Sequence, residues 1–325
     1  MAESLLEVTD LSVRFDTDDG QVHAVDRLSF ALAAGEVLGI VGESGCGKSV
    51  TCMSLLGLLP ETATVSGRVE FGGVDLLGLA PRRLRQVRGR QISYVFQEPM
   101  TSLNPVFTVG RQIGEVLHRH LGLSRGAARE RTIELLQLVR IPAPERRVDE
   151  YPHQLSGGMR QRVMIAMALA CDPQILIADE PTTALDVTIQ AGILDLMREV
   201  RERLGTAIVL ITHNLGVIAD IADRVVVMYA GRKAEEAPVH ELFAYPQHPY
   251  TIGLLGAIPR PAEVRPERLQ EIPGRVPSLA ELPDRCAFAD RCPRADAACE
   301  HVPPLHVARP DHVVACVHPG AEVPA

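Results

Sequence analysis

At 325 residues and 46% hydrophobic content, the chain is long enough for one large domain, or a large and a small one, around a substantial core. Its 33 basic and 41 acidic side chains leave a net charge of −8, which argues against broad electrostatic binding of nucleic acid. No run approaches the roughly 20 apolar residues of a membrane-spanning helix, and MAESLLEVTD lacks the basic and apolar segments of a signal peptide, so a cytoplasmic protein is expected.

Residues 5–32 and 67–76 alternate apolar and polar side chains with turn-forming Asp and Gly, which predicts an antiparallel side sheet. Residues 37–41 open a series of short, apolar, β-branched runs that continues at 92–96, 175–178, 207–211 and 225–228. Such runs suit strands buried on both faces, and their alternation with helical patterns predicts a largely parallel sheet in an α/β layer. After the first run, Gly42-Glu43-Ser44-Gly45-Cys46-Gly47-Lys48-Ser49 fits GxxxxGK[ST] and opens a helical run that Pro60 is placed to stop. The glycines permit tight curvature that points successive N–H groups at phosphate oxygens, and the helix N-terminus adds partial positive charge. Lys48 is placed to bridge the β- and γ-phosphates and Ser49 to offer its hydroxyl to Mg²⁺. Arg82, Arg83, Arg85, Arg88 and Arg90 read as a solvated helix face, with a local basic patch as the alternative.

Residues 98–172 are helical in pattern; Ile133, Leu135, Leu136, Leu138 and Val139 mark one helix that Pro142 terminates. Within this stretch lies Leu155-Ser156-Gly157-Gly158-Met159-Arg160-Gln161-Arg162. A Ser before two glycines at a helix start offers a hydroxyl and unobstructed N–H groups, a second anion site, although alone it reads as an ordinary cap. The run 175–178 ends in Asp179 and Glu180, at the strand end where ligands gather in open α/β sheets. Beside a phosphate loop, Asp179 reads as the holder of Mg²⁺ and Glu180 as the group that orients and polarises the attacking water. Ile189, Ile193, Leu196, Met197, Val200 and Leu204 then keep helical spacing, and Gly205 is placed to end that helix.

Half of the 24 prolines and four of the seven cysteines fall in residues 259–325, which sets a boundary between a main domain, 1–258, and a small Cys- and Pro-rich C-terminal extension. Cys286, Cys292, Cys299 and Cys316 are separated by five, six and sixteen residues. In a cytosolic chain, clustered cysteines point to a metal site before disulfides, and four thiolates can complete one. Spacing leaves iron–sulfur, Zn²⁺ and free structural thiols open, and His301, His306, His312 and His318 keep mixed ligation open.

The ordered motifs across residues 5–258 resemble the ATP-binding subunit of an ABC transporter. The resemblance implies an ABC-type P-loop NTPase fold: a mostly parallel sheet, an antiparallel β side sheet and a helical subdomain at about 98–172. It implies a dimer in which Ser156, Gly157 and Gly158 of one subunit close on the γ-phosphate of ATP held by the other. Gln97 resembles the glutamine loop that contacts Mg²⁺ and shifts with the transmembrane partner. Ala184-Leu185-Asp186 resembles the loop that passes between subunits near both nucleotides, and His213 the switch histidine on the γ-phosphate. Phe15 stands where the family places an aromatic beneath adenine; a π face suffices for stacking, with core packing as the alternative. Two departures are visible. Asn214 follows the switch histidine where relatives often have Asp, and Cys46 replaces a common Ser, predicting sensitivity of nucleotide binding to thiol reagents.

Residues 97–105, 151–159 and 248–255, with the tail, narrow the resemblance to ATP-binding subunits of bacterial dipeptide and oligopeptide importers, nickel importers being close relatives. This implies an ATPase that powers peptide uptake from the cytoplasmic face of the plasma membrane. The implied partners are two permease subunits, a second identical or related ATPase and an extracytoplasmic solute-binding protein, with no nucleic acid. It further implies a [4Fe–4S] cluster on the four tail cysteines, Zn²⁺ being the alternative. A soluble ABC ATPase acting on nucleic acid or ribosomes usually carries two cassettes or a long coiled-coil insertion, and this sequence has neither. The complete motif set also disfavours a regulatory subunit with little hydrolysis.

Overall fold

The computed structural model describes residues 4–18, 20–98, 102–182, 186–258, 271–282 and 284–320. The chain divides into two compact units: Met1–Leu32, Val37–Gly78 and Thr212–Ala325 form the first, Ala33–Glu36 and Leu79–Ile211 the second. Among the described residues the strands in chain order are β1 (Ser4–Thr17), β2 (Gly20–Ala33), β3 (Val37–Val41), β4 (Ala63–Phe71), β5 (Val74–Asp75), β6 (Ile92–Val95), β7 (Ile175–Asp179), β8 (Ala207–Ile211), β9 (Arg224–Tyr229), β10 (Arg232–Pro238), β11 (His306–Arg309) and β12 (His312–Val314). The class is α/β, with a mixed sheet, an antiparallel side sheet and helices.

In the first unit the side sheet has the order β2-β1-β4-β5, and β4 runs antiparallel to both β1 and β5. β1 buries Leu6 and Val8, then Leu11 and Val13, so its inward phase slips by one residue. A bulge between Thr9 and Ser12, with Asp10 at φ +48°, absorbs the extra residue. Gly67 leaves room for it, because a Cβ there would lie 2.6 Å from the Asp10 carbonyl oxygen.

The second sheet of this unit has the order β11-β12-β10-β9-β3. β3 is buried at all five positions and pairs in parallel with β9 from Leu38↔Arg224 to Val41↔Val227. The helix Lys48–Leu55 ends at Leu56, short of Pro60, as Gly57 takes a left-handed φ of +57°. The helix Leu215–Ile221 packs so closely on β3 that a Cβ at Gly39 would meet Ile218 Cδ1 at 2.7 Å.

In the second unit β8, β7 and β6 are adjacent and parallel, with Ile175 paired to both Ile92 and Ala207. β6 stops at Val95, one residue short of its apolar run, and β7 extends to include Asp179. Helices Val109–Leu121, Arg125–Leu138, Pro144–Arg147 and Gly157–Ala168 follow β6, with Thr108, Ser124 and Ser156 as side-chain N-caps of three of them. Arg125–Leu138 stops before Pro142, where Arg140 has a left-handed φ of +58°. Val187–Leu204 ends at Gly205, φ +67°. Arg82, Arg83 and Arg85 are exposed on the helix Pro81–Val87, whose Val87 is buried, as a solvated face requires. No helix among the described residues is long and apolar enough to cross a membrane.

The tail joins the first unit by strand addition: β12 pairs with β10 through Glu235↔Val314 and Glu236↔Val313. Glu235 and His312 are fully buried and meet at 2.6 Å, and Glu235 also accepts the N–H groups of Gln247 (2.6 Å) and His248 (2.9 Å). His248 Nδ1 accepts the Tyr250 N–H and caps the helix Pro249–Gly256. Burial, partly opposed by the Glu235 carboxylate, holds the His248 pKa down at about 4. The folded imidazole is therefore neutral where the unfolded one, near 6.5, begins to charge. Its contribution to stability is present above pH 6.5 and is lost as pH falls from 6.5 toward 4, at most roughly 3 kcal/mol. His248→Asn, which keeps a capping oxygen, is expected to flatten this acid loss; thermal melts from pH 7.5 to 4.5 with equal slopes for both proteins would refute the assignment.

Candidate nucleotide site

The first unit carries the phosphate loop between β3 and the helix Lys48–Leu55. Gly42, Gly45 and Gly47 have φ of +154°, +80° and +98°. A Cβ on Gly42 would meet the Met228 carbonyl oxygen at 2.3 Å, and one on Gly47 the Ala24 oxygen at 2.4 Å; Gly45 faces open space. The loop is thus threaded between the backbones of β2 and β9, where only glycine passes. Gly47 is the N-cap and no side chain caps the helix, so first-turn N–H groups remain for an anion, and no acidic residue lies in that turn. Lys48 is 5% exposed and its ammonium donates to the carbonyls of Gly42 (2.8 Å) and Glu43 (3.0 Å), 3.8 Å from Cys46 Sγ. Ser44 is exposed and Ser49 half-buried.

Cys46 is 1% exposed, and burial raises its thiol pKa against the opposing pull of Lys48. The predicted thiol sensitivity is corrected here: the loop holds neither an accessible nor an ionised sulfur. Phe15, half-buried on β1, and His213, exposed ahead of the helix Leu215–Ile221, complete the first unit's candidates. Asn214 caps that helix by accepting the N–H groups of Gly216 and Val217, a task its oxygen performs as an Asp would.

The second unit gathers the carboxylates. Asp179 is 4% exposed and its Oδ2 accepts the Tyr94 hydroxyl at 2.8 Å. Glu180 sits at φ +46°, a left-handed turn costing roughly 1–2 kcal/mol. Its N–H, bonded to the Ile211 carbonyl at 2.9 Å, fixes the turn, and its Oε2 accepts the Gln97 amide at 3.0 Å. Gln97 therefore reaches Glu180 itself. Tyr94 escaped the sequence reading because an aromatic in a buried strand carries no motif. The exposed Ser156 caps its helix through the Met159 N–H, and Asp186 caps Val187–Leu204 through Ile189. These two helix starts are neighbours, since a Cβ on Gly158 would touch Ile189 at 3.0 Å. Ala184 and Leu185, and Pro99, Met100 and Thr101 of the 97–105 motif, lie outside the described residues.

In the tail none of Cys286, Cys292, Cys299 and Cys316 is in a disulfide. Burial raises the Cys316 thiol to about 11, with the other three thiols adding to the rise. Cys286 and Cys292 are raised by burial and then by neighbouring cysteines. Among the described residues the one group of three ligand atoms within 4.8 Å of one another is Asp296, Cys299 and His318. His312 is committed to Glu235, and His301 and His306 are exposed.

The ABC transporter family pattern matches residues 25–183, and that of the oligopeptide/dipeptide transporter C-terminal region matches 234–299. A probable peptide ABC transporter ATP-binding protein of Sinorhizobium fredii is 55% identical, over 97% of this chain and 95% of its own. The oligopeptide transport ATP-binding protein OppD of Salmonella typhimurium is 51% identical over 99% and 96%, respectively. This chain belongs to the ABC transporter ATP-binding subunits of the oligopeptide/dipeptide importer family. Such a subunit is an ATPase. Among solved structures, the ATP-binding cassette MJ0796, a post-hydrolysis dimer bound to ADP and Pi, is 28% identical with a TM-score of 0.66, covering 72% of this chain and 98% of that one.

In this ABC ATPase, Gly47→Ala is expected to abolish measurable ATP binding, whereas Gly45→Ala, strained in φ but free of contacts, costs only about 1–2 kcal/mol of loop stability. Titrations with ATP that rank the two variants equally would contradict the threading of the loop.

Proposed function

We propose that this chain pairs with a second ATP-binding cassette, itself or a relative, beneath two membrane permeases and powers uptake of dipeptides or oligopeptides, delivered by an extracytoplasmic solute-binding protein. The observation that carries this reading is the union in one chain of the ABC transporter pattern and the oligopeptide/dipeptide C-terminal region. The subunit sits peripherally on the cytoplasmic face of the membrane.

Phosphoryl transfer to water asks a protein for positioning and charge stabilisation. The uncapped helix start beyond Gly47 fits a triphosphate, and Lys48 exchanges its loop carbonyls for the β- and γ-phosphates. By the family resemblance Ser49 in the first unit, and Asp179 and Gln97 in the second, would hold Mg²⁺, which neutralises charge on the phosphate oxygens when bound. Glu180, turned out of its strand and held by Gln97, orients the attacking water. Ser156, Gly157 and Gly158 of the partner cassette, at a helix start where Ser156 and Gly157 are exposed, close on the γ-phosphate; His213 contacts it and Asp186 lines the passage between cassettes. Phe15 stacks on adenine. Closure on ATP and release after hydrolysis shift the permeases between two populations. Glu180→Gln is expected to bind ATP normally while turnover falls by about 10²–10⁴-fold, and Lys48→Ala to lose both. Unchanged turnover by the Glu180 variant in the assembled transporter would overturn its role.

We further propose that Cys286, Cys292, Cys299 and Cys316 hold a [4Fe–4S] cluster. Four thiols outside any disulfide suit a shared cationic group, which would order a Pro-rich tail. One zinc ion at about 2.3 Å from each sulfur needs sulfurs about 3.8 Å apart. Among the described residues no three of these sulfurs lie within 4.8 Å of one another, which does not fit a single zinc ion on the four sulfurs. Anaerobically purified protein is expected to show visible charge-transfer absorption and about four irons per chain; zinc without iron would refute the cluster.

A further inference from the structure

Glu43 poses a problem that the nucleotide chemistry leaves unsolved. It places a carboxylate, 31% exposed at its side chain, inside a loop built to receive a triphosphate, where like charge opposes binding. The structure answers it from the far end of the chain. Arg291, with 4% of its side chain exposed, meets Glu43 as a two-pronged fork, Nη1 to Oε2 at 2.6 Å and Nη2 to Oε1 at 3.0 Å. Its other three N–H groups are also used: Nε donates to the Pro273 carbonyl (2.9 Å), Nη2 to the Ile272 carbonyl (3.2 Å) and Nη1 to the Tyr229 hydroxyl (3.3 Å). All five donors of a guanidinium are thereby directed, and the side chain has one position available to it. A second tie fixes the loop backbone: the Glu43 N–H donates to the hydroxyl of Tyr250 at 2.8 Å, and Tyr250 is fully buried against Tyr229 and Phe288.

We propose that Arg291 is a positioning residue of the ATP site, which neutralises Glu43 and, with Tyr250, holds the phosphate loop in its nucleotide-receiving curvature. The C-terminal region thus supplies part of the site although it lies outside the cassette pattern that ends at residue 183. The inference rests on the reading of residues 42–49 as the phosphate cradle.

The test is equilibrium titration of the full chain with ATP and with ADP. Arg291→Met, similar in size but uncharged, is expected to weaken both by about tenfold or more. Glu43→Gln added to Arg291→Met is expected to recover most of that affinity, because the offending charge is gone; a merely structural arginine would show no such rescue. Arg291→Lys keeps the charge without the fork and is expected to fall between, and it serves alone if the methionine variant does not fold. Arg285→Ala is the control, since Arg285 pairs with Asp290 and Glu300 within the tail, and unchanged affinity is expected. Unchanged nucleotide affinity in both Arg291 variants, with only the melting temperature lowered, would overturn the proposal, as would an equal loss in Arg285→Ala. Failure of the unmodified chain to bind either nucleotide would instead overturn the cradle reading.

Discussion

The passage of a side-chain-free backbone between two carbonyls is the constraint on which this structure turns. At Gly42 and Gly47 the phosphate loop runs closer to Met228 O and Ala24 O than any Cβ permits. Contact on both sides fixes where the loop's N–H groups point before any ligand arrives, so the ordering cost falls on folding and not on binding. The sharp curvature also turns two carbonyls inward, and the buried Lys48 ammonium satisfies them.

The sequence revealed elements wherever one physical cause dominated. β3, β7 and β8 are buried at every position, so their apolar runs were legible, and Ser156 and Gly205 announced helix ends by local chemistry alone. The failures share a cause as well. Strict alternation along β1 cannot represent the slip at Asp10, since that bulge depends on Gly67 in another strand. Gly57, in place of the stronger breaker Pro60, ends the loop helix because a left-handed residue closes the last turn sooner. Within the site, motif residues were visible, while Tyr94 on Asp179 and Arg291 on Glu43 were not. Those contacts join residues 85 and 248 positions apart, and no periodicity encodes them. Burial likewise reversed the expectation for Cys46, a thiol whose reactivity depends on exposure that composition does not report.

The tail shows how a Pro-rich segment acquires a defined position with little apolar core of its own. Its β12 strand pairs two residues with β10, and the Ala315 N–H adds one bond to the Ala234 carbonyl, a short ladder on which to fix register. Register is fixed instead by polar satisfaction. Glu235, fully buried, accepts the N–H groups of Gln247 and His248 and meets His312 from the tail, and a shift of β12 by one residue would take the His312 partner from a desolvated carboxylate. Arg291 is held the same way, by five directed donors and not by hydrophobic area. Buried polar groups of this kind contribute modestly to net stability, since their desolvation offsets much of the attraction, but they penalise every alternative placement heavily. A segment attached on those terms is placed accurately without being strongly bound, which is the mechanical property required of an element whose arginine must sit within hydrogen-bond distance of a phosphate loop.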